Sequence, residues 1–335
     1  MINRLLIVGL GSIGKRHLRL ARELFPDAEI KVLRHKPGAE TPEFADGCLA
    51  DMEQVATFAP QIAVIANPAP FHISTALALV ALDCHLLIEK PLSDTTEGVS
   101  SLIEKAHTRK LVLQVGYNLR FLPSLEKFRD CIHAGTIGRI LSIRCEIGQY
   151  LPSWRPQTDY RQNVSAQKDL GGGVLLELSH ELDYLRWIFG DVSWVQAWLN
   201  RQSSLEIDVE DTAHLTLGFK PQVSGQVPPV ASVSLDFIRH DRVRLCTVIG
   251  ESGSLRWNGL TGEVEEYRVG DEAWKKLFHY VQQGDDSYRA QWKHFLSCVE
   301  YGLNPLVNGE DGLAVLEIIE AVRKSSKEKS RVVIL

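Results

Sequence analysis

The stretch Leu5-Leu-Ile-Val-Gly-Leu-Gly-Ser-Ile-Gly-Lys-Arg-His17 joins a short apolar run to three closely spaced glycines, and a helical pattern follows it. This order predicts the strand, turn and helix of a dinucleotide-binding fold. Gly9 would make the tight turn, Gly11 would let the backbone approach a pyrophosphate, and Gly14 would let the helix pack closely against the strand.

We expect the cofactor phosphates to lie at the N-terminus of this first helix, beside Ser12 and Ile13. Free backbone N–H groups and the helix dipole favour anions there. A glycine turn with a purely structural role is the alternative interpretation of the three glycines.

Length and composition limit the class of protein. A chain of 335 residues suggests about two domains. Its 44% of hydrophobic residues can fill a substantial core, and its net charge of −5 argues against nucleic acid as the main partner. No apolar run reaches the roughly 18–20 residues that cross a bilayer.

The compartment is predicted from the start of the chain and from the cysteines. The first strand begins within a few residues of Met1, which leaves no room for a targeting peptide. The six cysteines are scattered without a Cys-x-x-Cys pair, as in reduced core residues. These features predict a cytoplasmic protein.

Two different periodicities divide the chain. Up to residue 120, buried strands alternate with helices, which predicts a doubly wound parallel sheet with helices on both faces. Beyond it, apolar and polar residues alternate strictly in Leu141–Ile147, Ala213–Phe219 and Val233–Phe237. We therefore expect a Rossmann domain over 1–120 and an α/β domain with a large open, mostly antiparallel sheet over 121–335. Its late helices, 286–324, could pack back towards the first domain.

The end of the second predicted strand bears on cofactor choice. NAD-specific folds place an acidic residue there, whereas this chain has Arg34-His35-Lys36. An arginine suits a 2′-phosphate, so Arg34 and His35 are candidate cofactor ligands, with NADP(H) slightly favoured and NAD(H) possible. An ordinary solvated basic strand end is the alternative.

Two further strand ends should face the same ligand crevice, because carboxyl ends of parallel strands share one edge. Asn67, Pro68 and His72 follow one strand and could line the nicotinamide side, although His72 could equally be a helix-start residue without a ligand. Glu89 and Lys90 end the next strand, where the lysine could point into the crevice.

A second polar cluster follows Gly171-Gly172-Gly173. If the chain from Val174 to Ile188 is one helix, Glu177, His180, Asp183 and Tyr184 share one face. A carboxylate beside an imidazole can relay protons, and a polar stripe on a surface helix is the alternative. No His, Cys or carboxylate cluster has metal-ligand spacing, so we expect no metal.

Together the motifs resemble the Gfo/Idh/MocA family, that is, glucose–fructose oxidoreductase, inositol dehydrogenase and their relatives. The resemblance covers essentially the whole chain. The residues that carry it are Gly9-Leu10-Gly11-Ser12-Ile13-Gly14, Asn67-Pro68 with His72, Glu89-Lys90-Pro91, Arg120-Phe121, Gly171-Gly172-Gly173 with His180 and Asp183, and Glu310-Asp311-Gly312.

The resemblance implies an NAD(H)- or NADP(H)-dependent enzyme acting on sugars, cyclitols or sugar derivatives, and a sheet that often forms dimers or tetramers. Lys90 matches the family's active-site lysine and His180 its acid/base histidine. The family commonly has Asp where this chain has Leu176, so the relay partner of His180 could be Glu177 or Asp183. The expected substrate-binding residues are Lys90, Asn118, Arg120, Trp154, Arg155, Tyr160, Arg161, Lys168 and His180.

These residues predict a reversible oxidation of a secondary alcohol to a ketone on a sugar, cyclitol or nucleotide-sugar type of substrate. The nicotinamide would take the hydride, His180 would exchange the proton, and Lys90 would stabilise the negative charge on the reacting oxygen. Which of the two carries the proton stays open at this point. A non-catalytic NAD(P)-binding sensor of the same fold is the alternative function.

Overall fold

The structure is a computed structural model and describes residues 2–34, 40–221, 225 and 227–334. It divides into two compact units. The first comprises Met1–Tyr117 with Arg289–Leu316, and the second comprises Asn118–Tyr288 with Glu317–Leu335. The late segment 289–316 therefore groups with the N-terminal part of the chain.

The first unit contains a six-stranded parallel sheet with the order β3-β2-β1-β4-β5-β6. Its strands are β1 (Arg4–Val8), β2 (Glu29–Leu33), β3 (Gly47–Leu49), β4 (Ile62–Ile65), β5 (His85–Ile88) and β6 (Leu113–Val115). Its helices are α1 (Ser12–Leu24), α2 (Met52–Phe58), α3 (His72–Val80) and α4 (Val99–Thr108). The strand order reverses between β1 and β4, which in such sheets is the place where ligands bind.

The second unit contains a nine-stranded sheet with the order β14-β13-β12-β11-β7-β10-β9-β8-β15. Its strands are β7 (Ile140–Gly148), β8 (Val192–Asn200), β9 (Thr212–Phe219), β10 (Val230–Asp236), β11 (Val243–Gly250), β12 (Gly253–Asn258), β13 (Glu263–Arg268), β14 (Lys275–His279) and β15 (Val332–Val333). All neighbouring strands are antiparallel except β7 and β10. The predicted fold class is confirmed.

The remaining helices are α5 (Pro123–His133), α6 (Val174–Glu177), α7 (His180–Phe189), α8 (Asp286–Tyr301) and α9 (Gly309–Glu328). Residues of α8 and α9 fall in both units. In the first unit, α9 begins close to β6, since a Cβ on Gly309 would lie 2.4 Å from Leu113 Cδ2. A Cβ on Gly312 would lie 2.7 Å from Leu92 Cδ2. Gly312 of the Glu310-Asp311-Gly312 motif is therefore packed closely against Leu92.

The six cysteines are all free thiols, and five of them are buried. Burial raises the pKa of the Cys84 and Cys145 thiols. No helix among the described residues is both long enough and apolar enough to cross a membrane.

Candidate active site

The glycine loop between β1 and α1 has the geometry of a phosphate cradle. Gly9 has a φ of +86°, and a Cβ there would lie 2.7 Å from the backbone nitrogen of Asn67. A Cβ on Gly14 would lie 2.1 Å from the carbonyl oxygen of Gly9, whereas a Cβ on Gly11 would meet nothing within 4 Å. Gly9 and Gly14 are thus required by close packing, and Gly11 leaves open space.

The N-terminus of α1 fits an anion. Its N-cap, Gly11, provides no side-chain cap, and its first turn carries no acidic residue. Gly11 and Ser12 are exposed. Unsatisfied N–H groups at such an end bind phosphate without further help from side chains. The residues present therefore fit the pyrophosphate of a dinucleotide.

Arg34 directly follows β2, and its backbone N–H donates to the carbonyl oxygen of Leu49 at 2.9 Å. Within the part of the chain that the structure describes, its side chain makes no hydrogen bond or ion pair. Arg34 as a whole is partly exposed, and it lies at the carboxyl edge of the sheet. His35, the other residue predicted for this position, lies outside the described residues.

His72 is buried and lies between two backbone carbonyl groups. Its Nε2 is 2.7 Å from the carbonyl oxygen of Asn67, and its Nδ1 is 3.0 Å from that of Pro91. Burial lowers the pKa of His72, against the effect of the two carbonyls. The ring thus connects the loops after β4 and β5, and Asn67 Nδ2 donates to Thr75 at 3.3 Å.

Pro68 comes between these residues, at the start of the turn that leads into α3. It is the N-cap of a short 3-10 helix, Ala69–Phe71, with a backbone φ of −60° and ψ of 144°. A direct contact of a His72 ring nitrogen with a ligand would require one of its two carbonyl contacts to break.

Lys90 is the second residue after β5, and it is partly exposed. Its backbone N–H donates to Oε2 of Glu89 at 3.1 Å, while Oε1 of Glu89 lies 2.7 Å from Nε2 of His17. The Glu89 carboxylate is therefore engaged within the first unit. The lysine side chain begins at the carboxyl edge of the sheet, which also holds the glycine loop.

The predicted continuous helix through Val174–Ile188 is wrong. It is broken into α6 and α7 at Leu178 and Ser179. The Ser179 hydroxyl donates to the carbonyl oxygen of Leu176 at 2.9 Å, a side-chain bond that competes with helical hydrogen bonding. Glu177 consequently lies outside the helix that begins with His180, and the two do not share one helix face.

Glu177 and His180 are both partly exposed. Oε2 of Glu177 accepts a hydrogen bond from the Ser165 hydroxyl at 3.0 Å. His180 is the first residue of α7, so its side chain comes from the helix end and not from its middle.

Asp183 and Arg120 form a buried ion pair within the second unit. Nε and Nη2 of Arg120 donate to the two Asp183 carboxylate oxygens at 3.0 and 2.7 Å. Their side chains are 2% and 1% exposed. Nearby, the buried Asn118 donates from Nδ2 to the Ser287 hydroxyl at 2.8 Å.

Three of the predicted substrate-binding residues in the loop after β7 make hydrogen bonds or ion pairs with other residues of the second unit. Arg161 binds Asp159 at 2.9 Å and Glu206 at 3.1 Å, and the Tyr160 hydroxyl accepts the Glu206 N–H at 3.2 Å. Trp154 donates from Nε1 to the carbonyl oxygen of Gln149 at 3.0 Å. These three side chains hold the loop in place.

The other two predicted ligands of this loop, Arg155 and Lys168, have exposed side chains. The backbone N–H of Lys168 donates to Oδ1 of Asp208 at 2.7 Å, which fixes the chain at that point but does not involve the ammonium.

The sequence reasoning missed Glu210. Its Oε1 accepts the Leu175 N–H at 3.2 Å, its carbonyl oxygen accepts the Val174 N–H at 3.1 Å, and a Cβ on Gly173 would lie 2.5 Å from Oε1. Burial raises the pKa of this carboxyl. It stands before β9 in a stretch without local periodicity, so only its contact with the Gly173 turn reveals it.

Comparison with known proteins decides the family. The model of an oxidoreductase family with an NAD-binding Rossmann fold matches residues 3–117, and the model of its C-terminal alpha/beta domain matches residues 129–334. The chain belongs to the Gfo/Idh/MocA oxidoreductase family. The predicted family is therefore confirmed, and so is the prediction of an NAD(P)-dependent dehydrogenase or reductase acting on CH–OH groups.

Individual relatives fit this family. Myo-inositol 2-dehydrogenase of Thermotoga maritima is 28% identical over 272 residues, which cover 78% of this chain and 76% of that protein. A levoglucosan dehydrogenase solved with NADH and levoglucosan has a TM-score of 0.85 at 21% identity, covering 99% of both chains. The WlbA dehydrogenase from Bordetella pertussis, solved with NADH and UDP-GlcNAcA, has a TM-score of 0.81 at 19% identity, covering 100% of this chain and 99% of that one. These two likenesses show the shared fold.

No group of three or more His, Cys, Asp or Glu residues that could hold a metal ion is present among the described residues.

Proposed function

We propose that this protein catalyses the reversible NAD(P)-dependent oxidation of a secondary alcohol to a ketone on a sugar, cyclitol or nucleotide-sugar type of substrate. The observation that carries the proposal is the position of Lys90, whose side chain leaves the carboxyl edge of the sheet that also bears the phosphate cradle. The relatives support the substrate class, since the compounds in their names, or bound in their structures, contain polyhydroxylated rings.

In this reaction Lys90 and His180 act at the reacting oxygen. The bound nicotinamide supplies the hydride acceptor. The Lys90 ammonium donates a hydrogen bond to the oxygen and stabilises its developing negative charge, and His180 takes the hydroxyl proton.

Of the two carboxylates predicted as partners of His180, we assign the orienting role to Glu177. Each oxygen of Asp183 already accepts an N–H group of the Arg120 guanidinium. Glu177 is partly exposed, as is His180, and its Oε2 accepts a hydrogen bond from the Ser165 hydroxyl. In this assignment the ion pair of Asp183 supports α7 and thereby His180.

The exposed cations of the loop after β7 are the proposed substrate contacts. Arg155 and Lys168 have exposed side chains, and the Arg161 side chain, which is also exposed, binds Asp159 and Glu206. Arg155 and Lys168 would bind hydroxyls or an anionic group of the substrate. Buried Arg120 would support the site through Asp183.

For the cofactor, we propose a preference for NADP(H). The support is Arg34 at the end of β2, a position where an arginine suits the 2′-phosphate. NAD(H) would bind the same glycine loop without this contact.

We also propose that the protein forms homodimers or homotetramers through the open face of the nine-stranded sheet. Trp198 on β8 is 40% exposed, and its ring centroid lies 5.9 Å from that of His214 on β9. An exposed tryptophan on a sheet face suits an interface between copies. Light scattering coupled to size exclusion should give a dimer or tetramer mass, and a Trp198→Arg variant should shift it towards the monomer.

The activity is tested with NAD+ and NADP+ against myo-inositol, glucose, levoglucosan and a UDP-sugar, following the absorbance of the reduced nicotinamide. The Lys90→Ala and His180→Ala variants should each lower kcat by about 10²–10⁴-fold, while the Kd for the reduced cofactor stays within about twofold. The matched controls are Lys105→Ala and His107→Ala, two exposed residues of α4. Both should retain turnover.

Wild-type turnover in either active-site variant would refute the role given to that residue. Cofactor binding without turnover of any substrate would instead support the sensor function.

A further inference from the structure

A chain of three buried side chains in the first unit ends at the peptide group of Lys90. Nε1 of Trp292 donates to Nδ1 of His17 at 3.0 Å, and Nε2 of His17 lies 2.7 Å from Oε1 of Glu89. Oε2 of Glu89 accepts the Lys90 N–H at 3.1 Å. Trp292 and His17 are 0% exposed and Glu89 is 7% exposed.

The chemistry of the three groups fixes the direction of these hydrogen bonds. An indole N–H can only donate, so Nδ1 of His17 must accept. The His17 ring is therefore neutral with its proton on Nε2, which donates to the Glu89 carboxylate. Trp292 thus selects the tautomer of His17, much as an outer partner fixes the histidine of a metal site.

The surrounding backbone holds the end of this chain firmly. A Cβ on Gly116 would lie 3.0 Å from both Cα and Oε2 of Glu89, so the glutamate packs directly against that glycine. On the other side of Lys90, the carbonyl oxygen of Pro91 contacts His72. The backbone is therefore held immediately before and immediately after the lysine.

We propose that Trp292, His17 and Glu89 form a positioning relay that sets the direction of the Lys90 side chain. The inference rests on the proposed function, because it assumes that the Lys90 ammonium acts at the reacting oxygen. None of the three residues needs to touch the substrate. Burying this polar chain is costly unless every bond is made, whereas apolar side chains would fill the space without that cost. Hydrogen bonds have a fixed direction and can therefore orient the peptide group of Lys90, which an apolar cluster could not do.

Two substitutions of His17 separate positioning from simple packing. His17→Gln retains an amide N–H that can replace Nε2 as the donor to Glu89, whereas His17→Leu fills the space without a donor. Displacing a catalytic group by about 1 Å can cost on the order of 100-fold in rate. We expect kcat to fall by about 10–100-fold in His17→Leu and by less than about threefold in His17→Gln. The substrate KM and the Kd for the reduced cofactor should change by less than about twofold in both.

A third variant tests the first bond of the relay without emptying the core. Trp292→Phe removes the indole N–H that fixes the His17 tautomer. Nitrogen-15 NMR of His17 should change from one tautomer to a mixture, and kcat should fall. The matched control is Trp257→Phe, because Trp257 is also 0% exposed and its Nε1 donates to Ser124 at 3.1 Å in the second unit. That control should lose stability but retain kcat.

Several results would overturn the relay. One is wild-type kcat in folded His17→Leu, and another is an equal loss of kcat in His17→Gln and His17→Leu. If His17→Leu does not fold, the relay is overturned by a Trp292→Phe variant in which both the His17 tautomer and kcat are unchanged. Failure of the proposed function is distinguishable, because it shows as wild-type turnover in Lys90→Ala, and the NMR readout does not depend on Lys90.

Discussion

Substituting Asp183 by Asn should destabilise the second unit strongly. The Arg120–Asp183 pair is buried on both sides and bidentate, and the guanidinium carbon also lies 5.6 Å from the Trp187 ring centroid. The introduced amide would keep one acceptor and turn an N–H group towards the guanidinium, which leaves a buried cation without its counter-charge. Removing one partner of a buried pair costs about 3–5 kcal/mol.

The destabilisation caused by Asp183→Asn can be measured as a fall in the melting temperature Tm. In a domain of about 150–250 residues, 1 kcal/mol corresponds to about 2–4 °C, so Tm should fall by about 6–20 °C. Calorimetry and urea unfolding, at fixed cofactor concentration, measure the change. The exposed pair Arg139–Glu251 is the matched control, with side chains 47% and 51% exposed. Glu251→Gln should cost less than about 1 kcal/mol.

A double-mutant cycle separates the pair from its surroundings. Arg120→Met and Asp183→Leu should each be strongly destabilising, whereas the double variant should be less so than their sum by about 2–3 kcal/mol, because no unpaired charge remains. The reasoning would be refuted if the destabilising effects of Arg120→Met and Asp183→Leu were additive in the double variant. It would also be refuted if Asp183→Asn lowered the free energy of unfolding by less than about 1 kcal/mol. The same variant tests the partner of His180, since Glu177→Gln and not Asp183→Asn should shift the pH profile of kcat/KM.

Three further predictions concern the cofactor, pH and thiols. Arg34→Ala should weaken NADPH binding by about 10-fold or more, because one charge-assisted contact is lost, and it should leave NADH binding nearly unchanged. Fluorescence titration measures both affinities. An equal loss of affinity for both cofactors would contradict the prediction. Burial lowers the pKa of His72 in the folded state, so its contribution to stability is full above about pH 6.5 and is lost as pH falls below it. His72→Gln should therefore flatten the slope of unfolding free energy against pH in that range by up to about 1.4 kcal/mol per unit, and an unchanged slope would exclude the contribution. Cys48 is the half-buried cysteine while the other five are buried, so the fast phase of native thiol labelling should disappear in Cys48→Ser.

Much of the fold could be predicted from the sequence because its signals are local. Gly14 packs against Gly9 within the first loop, and Gly9 packs against Asn67 after β4. The spacing of the glycines, together with the strand before them and the helix after them, is a local pattern that the sequence shows directly. Alternation of apolar and polar residues in the second half correctly predicted the large, mostly antiparallel sheet, since every second side chain faces the core. Strands β3, β8, β13 and β14 escaped prediction. β3 has only three residues, and the other three strands carry polar or half-exposed side chains, so their alternation is weak.

The candidate site was less predictable where its contacts are distant. The sequence pattern from Val174 to Ile188 looks like one continuous helix, yet the chain breaks between α6 and α7, where the Ser179 hydroxyl bonds the Leu176 carbonyl oxygen. Arg161 looks like a substrate ligand in the sequence, yet it binds Glu206, 45 residues away.

By itself the sequence indicated the family, because its motifs resemble those of that family, and it predicted the parallel sheet and the mostly antiparallel sheet. The two sheets follow from periodicity, which short-range sterics and burial enforce residue by residue. The glycine loop after β1 and the lysine after β5 are candidate site residues that the sequence also predicted. Only the tertiary structure decided that Arg120 lies against Asp183, and that Trp292 donates a hydrogen bond to His17, 275 positions away in the chain. Such bonds form between groups that folding brings together, so no local pattern encodes them.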